Sequence, residues 1–458
     1  MANWAGMRVV VLGLGRQGKA LARYLAEHGA EVTVSDIKTA TEVAHSTQEL
    51  EDLDLRFVFG SHPARLIEGA DLLCLSGGVP AGLPLAEQAR EKGIRVTNDA
   101  QIFLEASPAP SIGITGSAGK STVTALVGRM ADAALEPEGR NVWVGGNIGR
   151  PLVADLDQMQ PDDLVVIELS SFQLELMTVS PHVAAVLNIT PNHLDRHGSM
   201  QSYTAAKRRI LDSQTSDDQA VLNREDPAAW AFRRDVRGRL ASFGWSPGEG
   251  DGTYLARDTI RLNWDGHTTT VCKIEAVRLR GRHNLLNVLA ACAIGAAAGL
   301  PSEALETGIR GFDGLPHRLE PVRQVRGAVW VNDSIATAPE RAIAAIESFE
   351  EPIVLLAGGR DKDLPWERLA ELIVERVDHV VLFGEAAEKV DRAIRAQGSR
   401  PRPLTLDRTP DLESAVHAAA RVAEAGDVVL LAPGGTSFDE FPDFEARGEK
   451  FRELVNAL

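Results

Sequence analysis

The chain has 458 residues, too many for one ordinary core, and at roughly 150 residues per domain it should hold about three domains. Its 44% hydrophobic and 24% charged residues suit a globular protein, and its net charge of −16 argues against nucleic acid or an anionic membrane as the main partner. Cys74, Cys272 and Cys292 are odd in number and far apart, which excludes a disulfide framework or zinc pattern and fits a reducing cytoplasm.

The opening run "MANWAGMRVVVLGLG" lacks the basic start and the apolar length of a signal peptide. Residues 8–36 then read as a strand, the loop Gly13-Leu14-Gly15-Arg16-Gln17-Gly18 opening a helix, and a second strand ending at Asp36. This is the dinucleotide-binding pattern: glycines for a tight turn, a helix N-terminus facing phosphate, and an acid for a ribose. Further strands at "DLLCLSGG" and "IRVTND" make residues 1–106 a parallel, Rossmann-like α/β domain. "EASPAPSIG" is a proline-bearing linker.

A second phosphate cradle follows in "GITGSAGKST": Gly116, Ser117, Ala118, Gly119, Lys120, Ser121 and Thr122 between a strand and a helix. Such a loop wraps phosphates in N–H groups, with Lys120 on the β/γ oxygens and Ser121 on Mg²⁺. Ile114 stands where the general P-loop has glycine, so the match is to a TGxxGKST variant. The next strands end in Glu168 and in Asn188, the latter followed by His193, Asp195 and His197. Each alone has a bland alternative, a helix cap or a satisfied loop histidine. Three strands ending in Lys/Ser, Glu and His are a coherent Mg²⁺–nucleotide site.

Alternating short segments over 259–279 suggest an antiparallel patch, and the Ala-rich run 284–300 reads as a buried helix, not a membrane span. "GFDGLPHR" is the next junction, after which strands and helices alternate again. The expected organisation is therefore α/β throughout. A Rossmann-like domain spans 1–106, a P-loop ATPase-type domain with an antiparallel patch spans 107–314, and a second Rossmann-like domain spans 315–458.

Eight motifs, TGSAGKST, GGNIG, ELSSFQLE, NITPNHLDRH, YTAAKRRIL, GRHNLLNVLAA, GLPHRLE and NDSIAT, occur in the order of the Mur ligase family, which the chain resembles over nearly its whole length. "TSFDEFPDFEARGEKFRELV" resembles the members that add D-glutamate, and no DNPR motif of the diaminopimelate- or lysine-adding members is present. The resemblance explains why one chain has two phosphate loops. It implies that the first domain holds the uridine diphosphate of UDP-N-acetylmuramoyl-L-alanine and the second holds ATP.

The resemblance also implies roles. Residues 13–18, Asp36, Ser76, Gly77 and Asn147 would bind the UDP substrate. Residues 116–122, Asn284, Arg318 and Asp333 would bind ATP. Thr337, Lys362, Ser437, Phe438 and Phe444 would bind glutamate. Lys120, Glu168, His193 and Lys207 would be catalytic, with Ser121, Glu168, His193 and a carbamylated Lys207 holding Mg²⁺, two ions in all. Lys207 is otherwise read as an exposed lysine beside Arg208 and Arg209, near the start of a helix. Some family members carry Lys where Ile335 stands and Asn where Ala338 stands, and Arg318 and Lys362 have plain surface ion-pair roles as alternatives.

The activity so implied is an ATP-dependent amide ligation through an acyl phosphate, by a cytoplasmic monomer with no nucleic-acid or membrane partner. The domains would close about hinges at 105–113 and 311–317. Addition of L-glutamate to the same acceptor, a folylpolyglutamate-type ligation, and a NAD-binding regulatory protein are the alternatives.

Overall fold

The computed structural model describes residues 3–192, 194–361, 363–398 and 403–458. Contacts divide it into two compact units, Met1–Arg278 with Arg282–Phe312, and Leu279–Gly281 with Asp313–Leu458. The first unit carries two sheets and the second carries one.

The first sheet has the order β3-β2-β1-β4-β5, from β1 (Arg8–Leu12), β2 (Glu31–Asp36), β3 (Arg56–Phe59), β4 (Leu72–Leu75) and β5 (Arg95–Thr97). All its pairings are parallel, and β1 and β4 are buried apolar runs, as a strand covered on both faces requires. Chain order reverses between β1 and β4, so the loops after these strands face one crevice.

The second sheet runs β14-β13-β12-β11-β10-β9-β6-β8-β7. Its parallel part comprises β6 (Ser111–Thr115), β7 (Val142–Gly146), β8 (Leu164–Glu168), β9 (Val183–Val186), β10 (Gln219–Asn223) and β11 (Arg239–Gly244). β12 (Asp251–Ala256) pairs parallel with β11, then antiparallel with β13 (Thr259–Trp264), which pairs antiparallel with β14 (His267–Lys273). β6 lies between β8 and β9, so the ends carrying Thr115, Glu168 and Val186 are neighbours.

In the second unit the order is β15-β16-β20-β17-β18-β19. The strands are β15 (Glu320–Val325), β16 (Ala328–Asn332), β17 (Ile353–Gly358), β18 (His379–Phe383), β19 (Thr405–Arg408) and β20 (Val428–Gly434). Only the β15–β16 pair is antiparallel. The reversal falls between β20 and β17.

The junction at 105–113 does not separate compact units as a hinge would. The helix Asp99–Ala106 buries Ala100, Ile102 and Phe103 in an apolar cluster shared with Leu152, Val153, Leu156 and Val165 of the second sheet's layer. The two prolines lie between the helix end at Ala106 and the start of β6 at Ser111, and Ala109 between them is buried in the same cluster. The run 284–300 forms the buried helix Arg282–Ala297, and no helix among the described residues is long and apolar enough to cross a membrane.

Candidate active site

The loop after β1 is shaped by close approach. Gly13 has φ of +91°, and a Cβ on Gly18 would sit 1.9 Å from the Gly13 carbonyl oxygen. Only glycine fits at 18, and the helix Arg16–Glu27 can then pack on β1. Gly15 differs: a Cβ there meets only Ser76 Oγ at 3.8 Å, so its bareness leaves room for a ligand. Gln17 Oε1 accepts from the Gly77 N–H at 3.0 Å, joining the β1 and β4 loops.

Gly15, Arg16, Gln17, Ser76, Gly78, Gly146, Asn147, Gly149 and Pro151 line a cavity of about 230 Å³. Arg16 Nη1 donates to the Gly149 carbonyl at 3.0 Å across it. The sheet-one loops thus share a crevice with a loop of the second sheet. Asp36 is not among the lining residues. Its carboxylate accepts from the Leu14 and Lys38 N–H groups at 2.7 and 2.9 Å, which holds the loop after β1. Gly13, Leu14, Gly18 and Gly77 likewise shape the loops behind the cavity.

The second loop is held by side chains. Gly119, at φ +83°, begins the helix Lys120–Leu135, and a Cβ there would sit 2.3 Å from Asn287 Oδ1. Asn188, at the end of β9, clamps the Ala118 peptide from both sides, its Oδ1 accepting from N–H at 2.8 Å and its Nδ2 donating to the carbonyl at 3.0 Å. Ser117 Oγ pairs with Tyr203 Oη at 2.9 Å and donates to the Thr190 carbonyl at 2.9 Å.

Two lysines meet on one carbonyl. Lys120 Nζ and Lys207 Nζ donate to Gly116 O at 2.9 and 2.8 Å. Lys207 is 1% exposed, in the middle of the helix Met200–Asp212, and its Nζ also donates to Thr115 Oγ1 at 3.3 Å. This corrects the surface reading: Tyr203, Lys207, Ile210 and Leu211 are on the buried stripe, and Arg208 and Arg209 point away from it. Burial first, and the Lys120 charge second, push the Lys207 amine well below the usual lysine range, while Glu168 works in the opposite direction.

Glu168 ends β8 and is buried. Gly146, at φ +100°, brings the next loop against its backbone, where a Cβ would be 2.5 Å from Glu168 O. Asn147 then donates from Nδ2 to Glu168 Oε1 at 2.8 Å and from its backbone N–H to Glu168 O at 2.9 Å. Glu168 Oε2 is buried with no protein partner. An orphaned carboxylate oxygen facing a phosphate loop suits a divalent cation, with Ser121 on the same loop. Among the described residues no three His, Cys, Asp or Glu side chains converge as a metal cluster. His193 lies outside the described residues.

Beside this site, His197 is buried between Ser171 (Nε2 to Oγ, 2.9 Å) and Glu175 (Nδ1 to Oε1, 2.8 Å), stacked on Phe172 and edge-on to Tyr203. Burial lowers its proton affinity more strongly than Glu175 raises it. Sequence reading placed Asn188 and His197 among the polar groups at the strand ends without a specific role, and did not single out Tyr203. The buried helical stripe through Tyr203 and Lys207 was the available signal.

In the second unit, Ser437 is buried in the loop after β20, and Phe438 is 59% exposed. That loop joins the loop after β17 through Arg360 and Thr436, whose backbones exchange hydrogen bonds of 2.8 and 2.9 Å. Arg447 is buried beneath them, donating to Ser334 Oγ, Ser334 O and Gly435 O. Phe444 opens the helix Phe444–Ala457 and meets the His317 ring edge-on at 6.4 Å. Asp333 accepts from the Leu319 N–H at 3.0 Å, and burial pushes its carboxyl up to about 6 despite Arg318 and Arg341. Thr337 is half-buried near the start of the helix Pro339–Ile346, whose cap position Ala338 offers no side-chain acceptor. Ile335 donates its N–H to the His317 carbonyl. Lys362 lies outside the described residues. Asn284, which accepts from Asn287 Nδ2 at 3.1 Å, belongs to the first unit, and Arg318 and Asp333 belong to the second.

Three family models match the chain in series: Mur ligase MurD-like N-terminal domain over residues 7–98, Mur ligase middle domain over 114–295, and Mur ligase glutamate ligase domain over 317–435. The UDP-N-acetylmuramoylalanine–D-glutamate ligase of Symbiobacterium thermophilum is 40% identical over 453 residues, covering 98% of each chain. That of Pelotomaculum thermopropionicum is 40% identical over 462 residues, 100% of this chain and 99% of the relative. Among solved structures, the UDP-N-acetylmuramate–alanine ligase MurC of Thermotoga maritima shares the fold with a TM-score of 0.59 at 19% identity, covering 98% of this chain and 99% of the other. MurF of Thermotoga maritima, solved with ADP, gives 0.57 at 18% identity over the full length of both chains.

Proposed function

The chain belongs to the Mur ligase family, and from that premise we propose that it joins D-glutamate to UDP-N-acetylmuramoyl-L-alanine at the expense of ATP. The observation that carries this reading is Asn147. It lines the glycine-loop cavity and at the same time holds Glu168 beside the phosphate loop. A substrate with its diphosphate in the cavity has its far end directed toward the phosphoryl site.

An oxygen of the alanyl carboxylate attacks the γ-phosphorus of ATP, the bond to the β,γ-bridging oxygen breaks, and ADP leaves. The D-glutamate amine then attacks the acyl carbon. The tetrahedral intermediate expels inorganic phosphate and the nitrogen loses its proton, giving the amide. Such transfer depends on positioning and charge neutralisation. Lys120 swings from Gly116 O to the β/γ oxygens, and the N–H groups of the Gly116–Lys120 loop cradle them. Glu168, Ser121 and His193 would hold Mg²⁺, which supplies charge neutralisation at the transferring phosphoryl group. Lys207, whose burial favours the neutral amine, would add CO₂ and release a proton, and the carbamate so formed would complete the ligand set for a second ion.

Gly15, Arg16, Gln17 and Ser76 bind the uridine diphosphate portion in this reading. Ser437, Phe438, Phe444, Thr337 and Lys362 receive the glutamate, and Asn284, Arg318 and Asp333 contact the nucleotide. The substrates are cytoplasmic small molecules, and a monomer is sufficient to bind them. The test is ATP consumption with UDP-N-acetylmuramoyl-L-alanine and either D- or L-glutamate. Turnover only with the D-isomer is expected, and equal or preferential use of L-glutamate would favour the alternative amino acid.

A further inference from the structure

Asn98 and Gln101 belong to the first sheet's layer, yet their side chains are spent on the segment that follows Glu168. Asn98 caps the helix Asp99–Ala106 with Oδ1, which accepts from the Gln101 N–H at 2.9 Å. Its Nδ2 reaches 75 residues along the chain to donate to the Gln173 carbonyl at 2.8 Å. Gln101 grips Thr178 twice: Oε1 accepts from N–H at 2.7 Å, and Nε2 donates to Oγ1 at 3.0 Å. Asn98, Gln101 and Gln173 are each 2% exposed or less.

From Gln173 the connection continues toward the site. Gln173 Oε1 accepts from the N–H and Oγ of Ser170, both at 3.0 Å, and Ser170 Oγ accepts from the Gln173 N–H, a reciprocal capping box two residues past Glu168. Glu168 is therefore tied from one side by Asn147 and from the other by the seam. A fully satisfied buried polar network fixes one geometry, where apolar contact would tolerate sliding. We propose that Asn98 and Gln101 are positioning residues for Glu168, fixing the β8 end so that its unpartnered oxygen meets the divalent cation. The inference rests on the reading of Glu168 as a metal carboxylate.

Mn²⁺ binding by the ATP-loaded enzyme, followed by electron paramagnetic resonance, is the direct readout, with steady-state kinetics beside it. Asn98→Asp keeps the capping oxygen and replaces the donor to Gln173 O by an acceptor. Gln101→Met keeps the length, removes both grips on Thr178, and guards against a folding defect in the first variant. Both should weaken Mn²⁺ binding about tenfold and lower kcat similarly, as orienting partners of a metal ligand do, with the acceptor KM within about twofold. Glu168→Gln should abolish the tight Mn²⁺ site. Wild-type Mn²⁺ binding in both seam variants, with loss in Glu168→Gln, overturns the positioning alone. Wild-type binding in Glu168→Gln overturns the Glu168 reading and the positioning with it.

Discussion

The two glycine loops of the first unit look alike in sequence and are built by different means. Around Gly13–Gly18 the contacts end on backbone groups: Gly18 against the Gly13 carbonyl, Gln17 on the Gly77 N–H, Arg16 on the Gly149 carbonyl, and the Asp36 carboxylate on the Leu14 N–H. Around Gly116–Ser121 lie Lys120, Lys207 and Glu168, with one carbonyl shared by two lysines and one carboxylate oxygen unpaired. A loop of the first kind binds a diphosphate without changing it. A loop of the second kind has the charge that phosphoryl transfer needs. In the proposed reading one crevice serves recognition and the other chemistry.

The largest effect that would break this division is on Lys120. Lys120→Ala should lower kcat by at least about a hundredfold with the circular dichroism spectrum unchanged. Retention of more than a tenth of wild-type turnover would remove the lysine from the chemistry. Two glycines of the other loop should separate fold from recognition. Gly18→Ala places a methyl against the Gly13 carbonyl and should cost about 3 kcal/mol of stability by overpacking. Gly15→Val, whose Cβ meets only Ser76, should leave the melting midpoint nearly unchanged and raise the acceptor KM about tenfold, with the ATP KM unaffected. An equal rise in both KM values would mean that the crevices are not separate.

The remaining effect concerns the join between them. Asp99 is buried beside Gln173, and burial pushes its carboxyl up to about 6. A carboxyl raised above its ordinary value of about 3.9 favours the proton in the fold, so its contribution is fully present below pH ~4 and lost as pH rises through 6. Asp99→Asn should flatten the fall in stability between pH 4 and 6.5, by up to about 3 kcal/mol, in urea titrations. An unchanged slope would show that Asp99 is not the group responsible.

The strand ends were legible because apolar runs stop at Thr115, Glu168 and Val186 and because a phosphate loop needs a strand before and a helix after it. Arg208 and Arg209 made an exposed face the plain alternative at Lys207, and only the family resemblance pointed to burial, although the helical spacing from Tyr203 to Ile210 also points the lysine inward. The Asn98–Gln173 bond joins positions 75 residues apart and leaves no local pattern. The continuity of the core across 105–113 was hidden by two prolines, which report an irregular connection between helix and strand and nothing about the apolar packing on either side. The structural use of Asp36 was not legible because the same carboxylate spacing serves a ribose, the loop's own N–H, or both.

The division of labour is tested most directly by following oxygen. UDP-N-acetylmuramoyl-L-alanine carrying ¹⁸O in its alanyl carboxylate is turned over with ATP and D-glutamate, and the released phosphate is examined by ³¹P nuclear magnetic resonance. Attack on the γ-phosphorus followed by amide formation transfers one labelled oxygen to inorganic phosphate, with ADP as the other product. Unlabelled phosphate, or AMP bearing the label together with pyrophosphate, would contradict phosphoryl transfer at the Lys120 loop.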